Sequence, residues 1–261
     1  MKLVRPLSAI TLPFLLSIGL FAMQRGGYRQ SYYGGPTVPS EFYWSRLQYN
    51  TLYGGGGFRS YGGGGWSQDY PRADNDCLIA LRRLTRINSP SPLNVADLDS
   101  DHLFDYPWVY AINVASWTFT DEEAKRLHDY LLKGGFLMVD HFHGTQDWTR
   151  FMAGMRQVLP DATVEDLPDG DEIYHVLYDI NEKFQIPGEQ YVSSGITYEK
   201  DGYIPKWRAI RDRHGRIMVA ICHNMHLGDA WEHADEAEYP EKFSGLAFRI
   251  VLNYITYSMT H

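Results

Sequence analysis

The chain of 261 residues has only two cysteines, Cys77 and Cys222, and no excess of positive charge. Two thiols exclude a disulfide framework. We expect them to be separate and buried, because Cys77 falls in a predicted helix and Cys222 at a predicted strand end. The formal net charge is -8, with 24 basic residues against 32 acidic ones. A nucleic-acid surface needs a basic stripe, so nucleic acid is not an expected partner.

Several enzyme motifs are also missing. The chain has no P-loop, no GxGxxG fingerprint and no HExxH pair, and Ser116 lies outside a GxSxG elbow. The usual sequence signals for nucleotide binding, zinc proteolysis and serine hydrolysis are therefore absent. Hydrophobic residues make up 44% of the chain and aromatic residues 15%, which is enough for a substantial core.

The first 22 residues have the pattern of an export signal. Lys2 and Arg5 precede an uncharged run from Pro6 to Gln24, and cleavage after Ala22 fits this pattern. The alternative is an uncleaved anchor in the inner membrane, formed by residues 6–24. We therefore expect an exported protein, periplasmic or secreted, that contacts a membrane only through this segment.

Residues 23–72 are rich in Gly, Tyr, Arg and Ser, which predicts a flexible segment. An alternating aromatic stretch at about 41–49 interrupts this segment and reads as a strand. That strand belongs to a predicted α/β domain formed by residues 73–261. The domain begins with a helix at 76–86, capped by Asp74 or Asn75, and a short strand at 93–98.

The next unit has the clearest pattern. A continuous apolar run at 108–114 predicts a strand that is covered on both faces. Thr120 and Glu123 form a capping box that begins a helix, Gly134 ends that helix, and residues 136–139 form the next strand. A strand, crossover helix and strand of this length are expected to be parallel and right-handed.

The remaining segments predict a mostly parallel sheet with a β-hairpin added to it. The hairpin comprises residues 207–211 and 216–222 around the turn DRHG. The other expected elements are a helix at 148–158, a strand or hairpin edge at 166–179, and a final helix at 243–258. The fold class is therefore α/β.

Two polar clusters follow predicted buried strands. The first contains Asp140, His141 and His143. The second contains His223, Asn224, His226, Asp229, Glu232 and His233. Ligands of open α/β sheets bind at the carboxyl ends of the strands, and adjacent strands lie about 5 Å apart. The two clusters converge only if the strand at 216–222 joins the same sheet edge.

These residues are open to several interpretations. Imidazole and carboxylate suit zinc, iron or manganese, which makes Asp140, His141, His143, His223 and His226 candidate ligands of a divalent metal, with exposed histidines as the alternative. Acid–base catalysis by Asp140, His141 and His143 is a second interpretation. Candidate ligand-binding residues are Asn113, Ser116, Trp117, Asn224, Asp229, Trp231 and Glu232. The alternative for the last three is structural, with the acids capping a helix and Trp231 filling the core.

Several motifs resemble the bacterial family called domain of unknown function 4159. They are TRI (85–87), LFDYPWVYA (103–111), GGFLMVDHFHGTQDW (134–148), GRIMV (215–219), LGDAWEHAD (227–235) and NYITYSMTH (253–261). The resemblance spans about residues 42–261. It implies a fold similar to class I glutamine amidotransferases, a flavodoxin-like three-layer sandwich, and it implies no established activity. Family members usually have Asp where this chain has His141 and His226. If those carboxylates bind a cation, the imidazoles of this chain either favour a softer metal or show that strict carboxylate chemistry is not required.

The sequence thus predicts a cell-envelope domain that binds a small molecule or an envelope protein partner at the edge bearing Asp140 and Asn224. Amidotransferase activity is not expected, because no Cys-His-Glu set is recognisable. The alternative is a hydrolase, metal-assisted or acid–base, that uses the two polar clusters. The sequence does not decide between binding and catalysis.

Overall fold

The computed structural model of this chain describes residues 38–51 and 65–261. The predicted export signal at 1–22 lies outside the described residues, as do residues 23–37 and 52–64 of the predicted flexible segment. Residues 65–71 of that segment form turns, and Trp66 among them is only 5% exposed. No helix in the described part of the chain is long and apolar enough to cross a membrane.

The described chain forms a mixed α/β fold around a mostly parallel seven-stranded sheet. The strands are β1 (Ser45–Gln48), β2 (Asn50–Thr51), β3 (Asn94–Asp97), β4 (Trp108–Ile112), β5 (Trp117–Thr118), β6 (Phe136–Asp140), β7 (Val164–Asp166), β8 (Lys206–Arg211) and β9 (Ile217–His223). The helices are α1 (Arg72–Leu84), α2 (Asp121–Leu132), α3 (Gly144–Val158), α4 (Gln190–Ser194), α5 (Leu227–Glu232) and α6 (Glu241–Thr260). The sheet order is β3-β1-β4-β6-β9-β8-β7, and β2 pairs with β5 separately.

The three central strands β4, β6 and β9 are buried along their whole length, as their continuous apolar sequences predict. They run parallel to one another, so the condition for convergence of the two polar clusters, that the strand at 216–222 joins the same sheet edge, is met. Alternate residues enter two apolar clusters. Tyr110 and Met138 pack with side chains of α1, α5 and α6, whereas Ala111 and Val139 pack with those of α2 and α3.

Strand β8 pairs antiparallel with β9, which confirms the predicted hairpin, and β7 continues the sheet beyond it. The strand or hairpin edge predicted at 166–179 is wrong. Only Asp166 of that range belongs to a strand, and Glu172–Tyr174 form a short 3₁₀-helix capped by the Asp171 carboxylate. Ile173 and Tyr174 are both buried, and consecutive buried side chains do not fit the two-residue period of a surface strand.

Two helices begin earlier than their sequences predict. Helix α1 begins at Arg72, so Asp74 is not its cap but a fully buried residue of its first turn. Helix α3 begins at Gly144, four residues before the predicted start. The side chains of Asn224 and Asp201 accept hydrogen bonds from the amides of Gly144 and Thr145, at 2.8 and 3.0 Å. Such distant caps have no local sequence signal.

The capping box predicted at the start of α2 is confirmed. The Glu123 amide donates to Thr120 Oγ1 at 3.2 Å, and the Thr120 amide donates to the Glu123 carboxylate at 2.7 Å. We expect Thr120→Ala to lower the free energy of unfolding by about 1 kcal/mol, measured by urea denaturation. The control is Thr149→Ala in α3, whose hydroxyl bonds only the Thr145 carbonyl of its own helix. Equal losses in both variants would contradict the capping role.

Candidate functional site

Each of the three central strands is followed by a residue with a left-handed backbone. These residues are Asn113 after β4, His141 after β6 and Asn224 after β9, with φ values of 58°, 54° and 65°. Among residues other than glycine, Asn, Asp and His adopt this region most readily. Such residues cost conformational energy, and they cluster at functional sites. The three turns stop the strands at one edge and bring the following side chains together there.

The two polar clusters meet at this edge. The imidazole rings of His141 and His226 stack with centroids 3.4 Å apart and planes 11° from parallel. The Asn224 amide donates to the Phe142 carbonyl at 3.0 Å, so the chain segments that follow β6 and β9 are directly bonded. The convergence that the metal interpretation required is therefore present.

Asp140 joins the sheet to helix α5. One of its carboxylate oxygens accepts hydrogen bonds from the amides of Leu227 and Gly228 at 2.7 and 3.1 Å, and from the Tyr110 hydroxyl at 3.1 Å. Burial raises the pKa of Asp140 to about 6, against the opposing effects of the nearby His226 and these donors. The contacts assign Asp140 to positioning the segment that carries His226.

His226 lies between two carboxylates. Its Nε2 is 2.9 Å from an oxygen of Asp69, and its Nδ1 is 3.1 Å from an oxygen of Asp229. Burial opposes the charged ring, but Asp229 and Asp69 together raise the pKa of His226 well above its ordinary value. The two carboxylates therefore favour the charged form of the ring, and both of its nitrogens have a partner.

The pKa values of His141 and His143 are lowered by contrast. Burial, and then the charge of His226, lower the pKa of His141 to about 3. Burial, and then His141, lower the pKa of His143 well below its ordinary value. Glu199 faces both rings, with its Oε1 at 3.4 Å from His143 Nε2, and burial raises the pKa of its carboxyl.

Potential metal-ligand atoms lie within 4.8 Å of one another in three groups of described residues. The groups are Asp69 with His141 and His226, His141 with His143 and Glu199, and Asp229 with Glu232 and His233. Burial, and then Asp69, raise the pKa of Glu232 to about 7. The arrangement offers imidazole and carboxylate ligands at a single edge of the sheet.

A long connection between β7 and β8 covers this edge. Gln185 fastens it by donating to the carbonyls of Gly202 and Asn224, at 2.7 and 2.9 Å. Lys200 pairs with the buried Asp147, whose carboxylate also accepts the amide of His143. These bonds hold the segment that carries Glu199 against the ends of the strands.

A pocket of about 390 Å³ opens beside this site, between the start of α3 and strand β8. His223 and Asn224 belong to its lining, and Trp148, Tyr203, Lys206 and Arg208 form other parts of the wall. The His223 ring packs against Trp148 with centroids 5.0 Å apart, and its Nε2 is 3.1 Å from the Gly144 carbonyl. Burial lowers the pKa of His223 to about 4.

The structure separates the remaining predicted site residues. His223 belongs to the pocket, and none of the three groups of potential metal ligands found among the described residues includes His223 or Asp140. Trp231 is fully buried and packs against Trp44 and Tyr110. It therefore fills the core, as its structural interpretation predicts. Trp117 is 3% exposed and stacks on Phe151 in the opposite apolar cluster. Neither tryptophan is available to a ligand.

Asn113 and Ser116 lie at the end of β4. The Asn113 side-chain amide donates to Gln68 at 2.6 Å, and the Ser116 hydroxyl donates to the Asn113 carbonyl at 2.9 Å. The side chain of Asn224 is likewise occupied, because it accepts from the Gly144 amide and donates to the Ile204 carbonyl at 2.7 Å. These three side chains hold the backbone around the site.

Sequence reasoning missed Asp69, Asp147 and Glu199. Asp69 follows a Gly-rich tract and Glu199 lies in an irregular connection, so no periodic pattern marks either residue. Asp147 had a signal, because an acidic residue in the first turn of a helix satisfies free amides there. The later predicted start of α3 hid that signal.

Fold and site together define an α/β protein with a histidine and carboxylate cluster at the carboxyl ends of a mostly parallel sheet. Residues 56–259 match the sequence model described as Domain of unknown function (DUF4159). This match covers more than half of the chain, so the protein belongs to the DUF4159 family, as its motifs predict. A search of curated proteins gave no match.

Proposed function

We propose that this protein has a flavodoxin-like three-layer fold and binds a small ligand at the carboxyl edge of its sheet. The five parallel strands are β1, β3, β4, β6 and β9. When they are renumbered 1 to 5 in chain order, they lie in the order 2-1-3-4-5, which is that of flavodoxin-type sheets. The two apolar clusters on opposite faces of the sheet support the three-layer arrangement. Ligands of such sheets bind outside the carboxyl ends of the strands.

The pocket beside His223 carries the proposal of ligand binding. Its volume of about 390 Å³ is within the usual range for small-molecule sites, and its lining combines aromatic and polar side chains. The entrance of the pocket is apolar and open to solvent, since Tyr203 and Ile204 in its wall are 62% and 64% exposed. Large apolar side chains exposed beside a pocket are typical of binding surfaces.

The charges in the pocket favour a planar ligand with an acidic group. The Arg208 guanidinium lies 4.3 Å from the ring centre of Trp148, and its Nε donates to Asp166 at 2.7 Å, which leaves its terminal nitrogens for a ligand. Lys206 Nζ is 4.0 Å from Asp166, too far for a hydrogen bond, so this ion pair leaves the donors of the ammonium to a ligand. The Asp201 carboxylate accepts two hydrogen bonds from Thr145, which directs it to the start of α3.

The thiols argue against amidotransferase chemistry. Cys77 and Cys222 are both fully buried, and burial raises the pKa of each well above its ordinary value. A thiol nucleophile has to be ionised and reachable by its substrate. We therefore propose a binding domain and not an amidotransferase. We also propose that residues 1–22 direct its export to the cell envelope.

The test uses 8-anilinonaphthalene-1-sulfonate, a planar aromatic anion that fluoresces when bound. We expect the protein to bind one dye per chain, and Lys206→Gln to weaken binding about tenfold or more, since a charge-assisted hydrogen bond contributes about 1.5–3 kcal/mol. Lys125→Gln on exposed α2 is the control and should bind as the natural protein does. Equal affinity of the natural protein and Lys206→Gln would refute this site for the ligand.

Metal-assisted hydrolysis is a second candidate function, favoured by the group formed by His141, His143 and Glu199. Two imidazoles and a carboxylate hold the catalytic zinc of several hydrolases. Purified protein loaded with Zn²⁺ is expected to hydrolyse 4-nitrophenyl acetate faster than Glu199→Gln loaded in the same way. Equal rates would exclude this function for the three residues.

A further inference from the structure

We propose that His141, His143 and Glu199 form a site for one divalent transition-metal ion. Their ligand atoms all lie within 4.8 Å of one another at the carboxyl end of β6. This assignment does not depend on the ligand of the neighbouring pocket, which is lined by other residues.

The bonding of the two histidines is incomplete without an ion. His143 is 2% exposed, yet neither of its ring nitrogens has a hydrogen-bond partner among the described residues. The buried Nδ1 of His141 also has none there. A buried polar atom without a partner costs about 1–3 kcal/mol, so native proteins rarely leave three together. A metal ion would accept the lone pairs of both rings.

The donor set defines the class of ion. Two imidazoles and one carboxylate with open positions suit Zn²⁺, Fe²⁺ and Co²⁺, whereas Mg²⁺ and Ca²⁺ prefer oxygen ligands. Glu199 keeps 30% of its side chain exposed, which gives the ion and its further ligands a path from solvent. The site therefore has the composition of a catalytic or ligand-exchanging centre.

The overlapping group of Asp69, His141 and His226 is a weaker candidate. Both nitrogens of His226 already have carboxylate partners at 2.9 and 3.1 Å, so an ion there would have to displace a bonded proton. His143 has no hydrogen-bond partner for its ring among the described residues, and Glu199 Oε1 has only long contacts, with His143 Nε2 at 3.4 Å and Gln190 Nε2 at 3.5 Å. The bonding thus places the ion on the His143 side of His141.

The residues around the site favour a cation, because acidic side chains outnumber basic ones there. Asp69 and Asp229 both flank the His226 ring. Glu199 is a third acidic group, and the nearby Lys200 is paired with Asp147. A doubly charged ion would therefore have several acidic neighbours and no unpaired lysine beside it.

The three ligands are held in place before an ion binds. The left-handed backbone of His141 stacks its ring on His226, and Asp147 accepts the His143 amide at 3.0 Å. The Glu199 carbonyl accepts from the Gly202 amide at 2.9 Å. Metal sites of this kind depend on such outer contacts to orient their ligands.

The experiment uses the full chain, stripped with EDTA and titrated with Co²⁺. We expect one Co²⁺ per chain by elemental analysis, with visible d–d bands, and no comparable binding of Mg²⁺. Glu199→Gln and His143→Gln should each weaken Co²⁺ binding by more than about 100-fold, the upper end of the loss from an outer-shell change. Glu182→Gln on the same connection and His214→Gln on the β8–β9 turn are controls and should bind normally.

Asp69→Asn separates the two overlapping groups. It removes a carboxylate from the competing group, and we expect Co²⁺ affinity to fall by less than about tenfold, through the lost charge alone. A larger loss in Asp69→Asn than in Glu199→Gln would overturn the assignment, as would no Co²⁺ binding by the natural protein. Glu199 is partly exposed, so Glu199→Gln reports on the site even if His143→Gln fails to fold.

Discussion

Replacing Asp74 with alanine is expected to lower the free energy of unfolding by about 3–5 kcal/mol. Arg46 and Asp74 are both fully buried, and their side chains form a two-point ion pair. The Trp44 indole also donates to Asp74 at 2.5 Å. Burial opposes the charge of Arg46, but Asp74 more than offsets this effect and raises the pKa of the guanidinium. The variant would leave that charge buried without its partner.

The loss should appear as a melting temperature lower by on the order of 10 °C, with a matching fall in the urea midpoint. Asp235→Ala is the control, because its partner Arg72 is bound at 3.0 Å on the surface and exposed pairs contribute at most about 1 kcal/mol. The double variant Arg46→Met with Asp74→Leu should recover at least half of the loss. Failure of that recovery would mean that the single variant acts by leaving a cavity.

The sequence predicts the centre of the sheet well, because strands β4, β6 and β9 are buried on both faces. A strand of this kind must be apolar along its whole length, which leaves a local pattern in the sequence. The start of α2 is equally local, since Thr120 and Glu123 bond within one turn. These elements need no knowledge of the rest of the chain.

The errors arise where distant residues decide the local structure. Asp74 resembles a helix cap, but its partner is Arg46 on β1, and only the assembled fold brings the two together. The early start of α3 depends on Asn224 and Asp201, which are far away along the chain. Neither contact follows from propensity or periodicity, because both are set by tertiary packing.

The candidate site shows the same division. His141, His143 and His226 follow predicted strands, so the rule about strand ends predicts one shared edge for them if the strand at 216–222 joins the sheet, as β9 does. Asp69 and Glu199 lie in irregular segments. Arg46 and Asn113 bond the segment of Asp69, and Gln185, Asn224 and Asp201 fasten the segment of Glu199 across the edge. The sequence thus indicates the histidines and Asp229, and it misses Asp69 and Glu199.

Gly144→Ala is expected to lower the free energy of unfolding by about 2–5 kcal/mol, combining backbone strain with overpacking. Gly144 has a φ of 77°, and a methyl group there would overlap the Asp201 carboxylate, with Asp201 Cγ only 3.0 Å away. Asp201 bonds the start of α3, so it cannot move without breaking its contacts with Thr145. Urea denaturation measures the loss.

Gly215→Ala is the control that separates the backbone strain of a positive φ from the steric overlap with a neighbouring side chain. Gly215 has a φ of 88° in the β8–β9 turn, and a methyl group there would meet nothing within 4 Å, so we expect a loss of only about 1–2 kcal/mol. Because Asp201 lies two residues from Glu199, the displacement at Gly144 should also weaken Co²⁺ binding, whereas Gly215→Ala should leave it unchanged. Equal behaviour of the two variants would show that the start of α3 does not position Glu199.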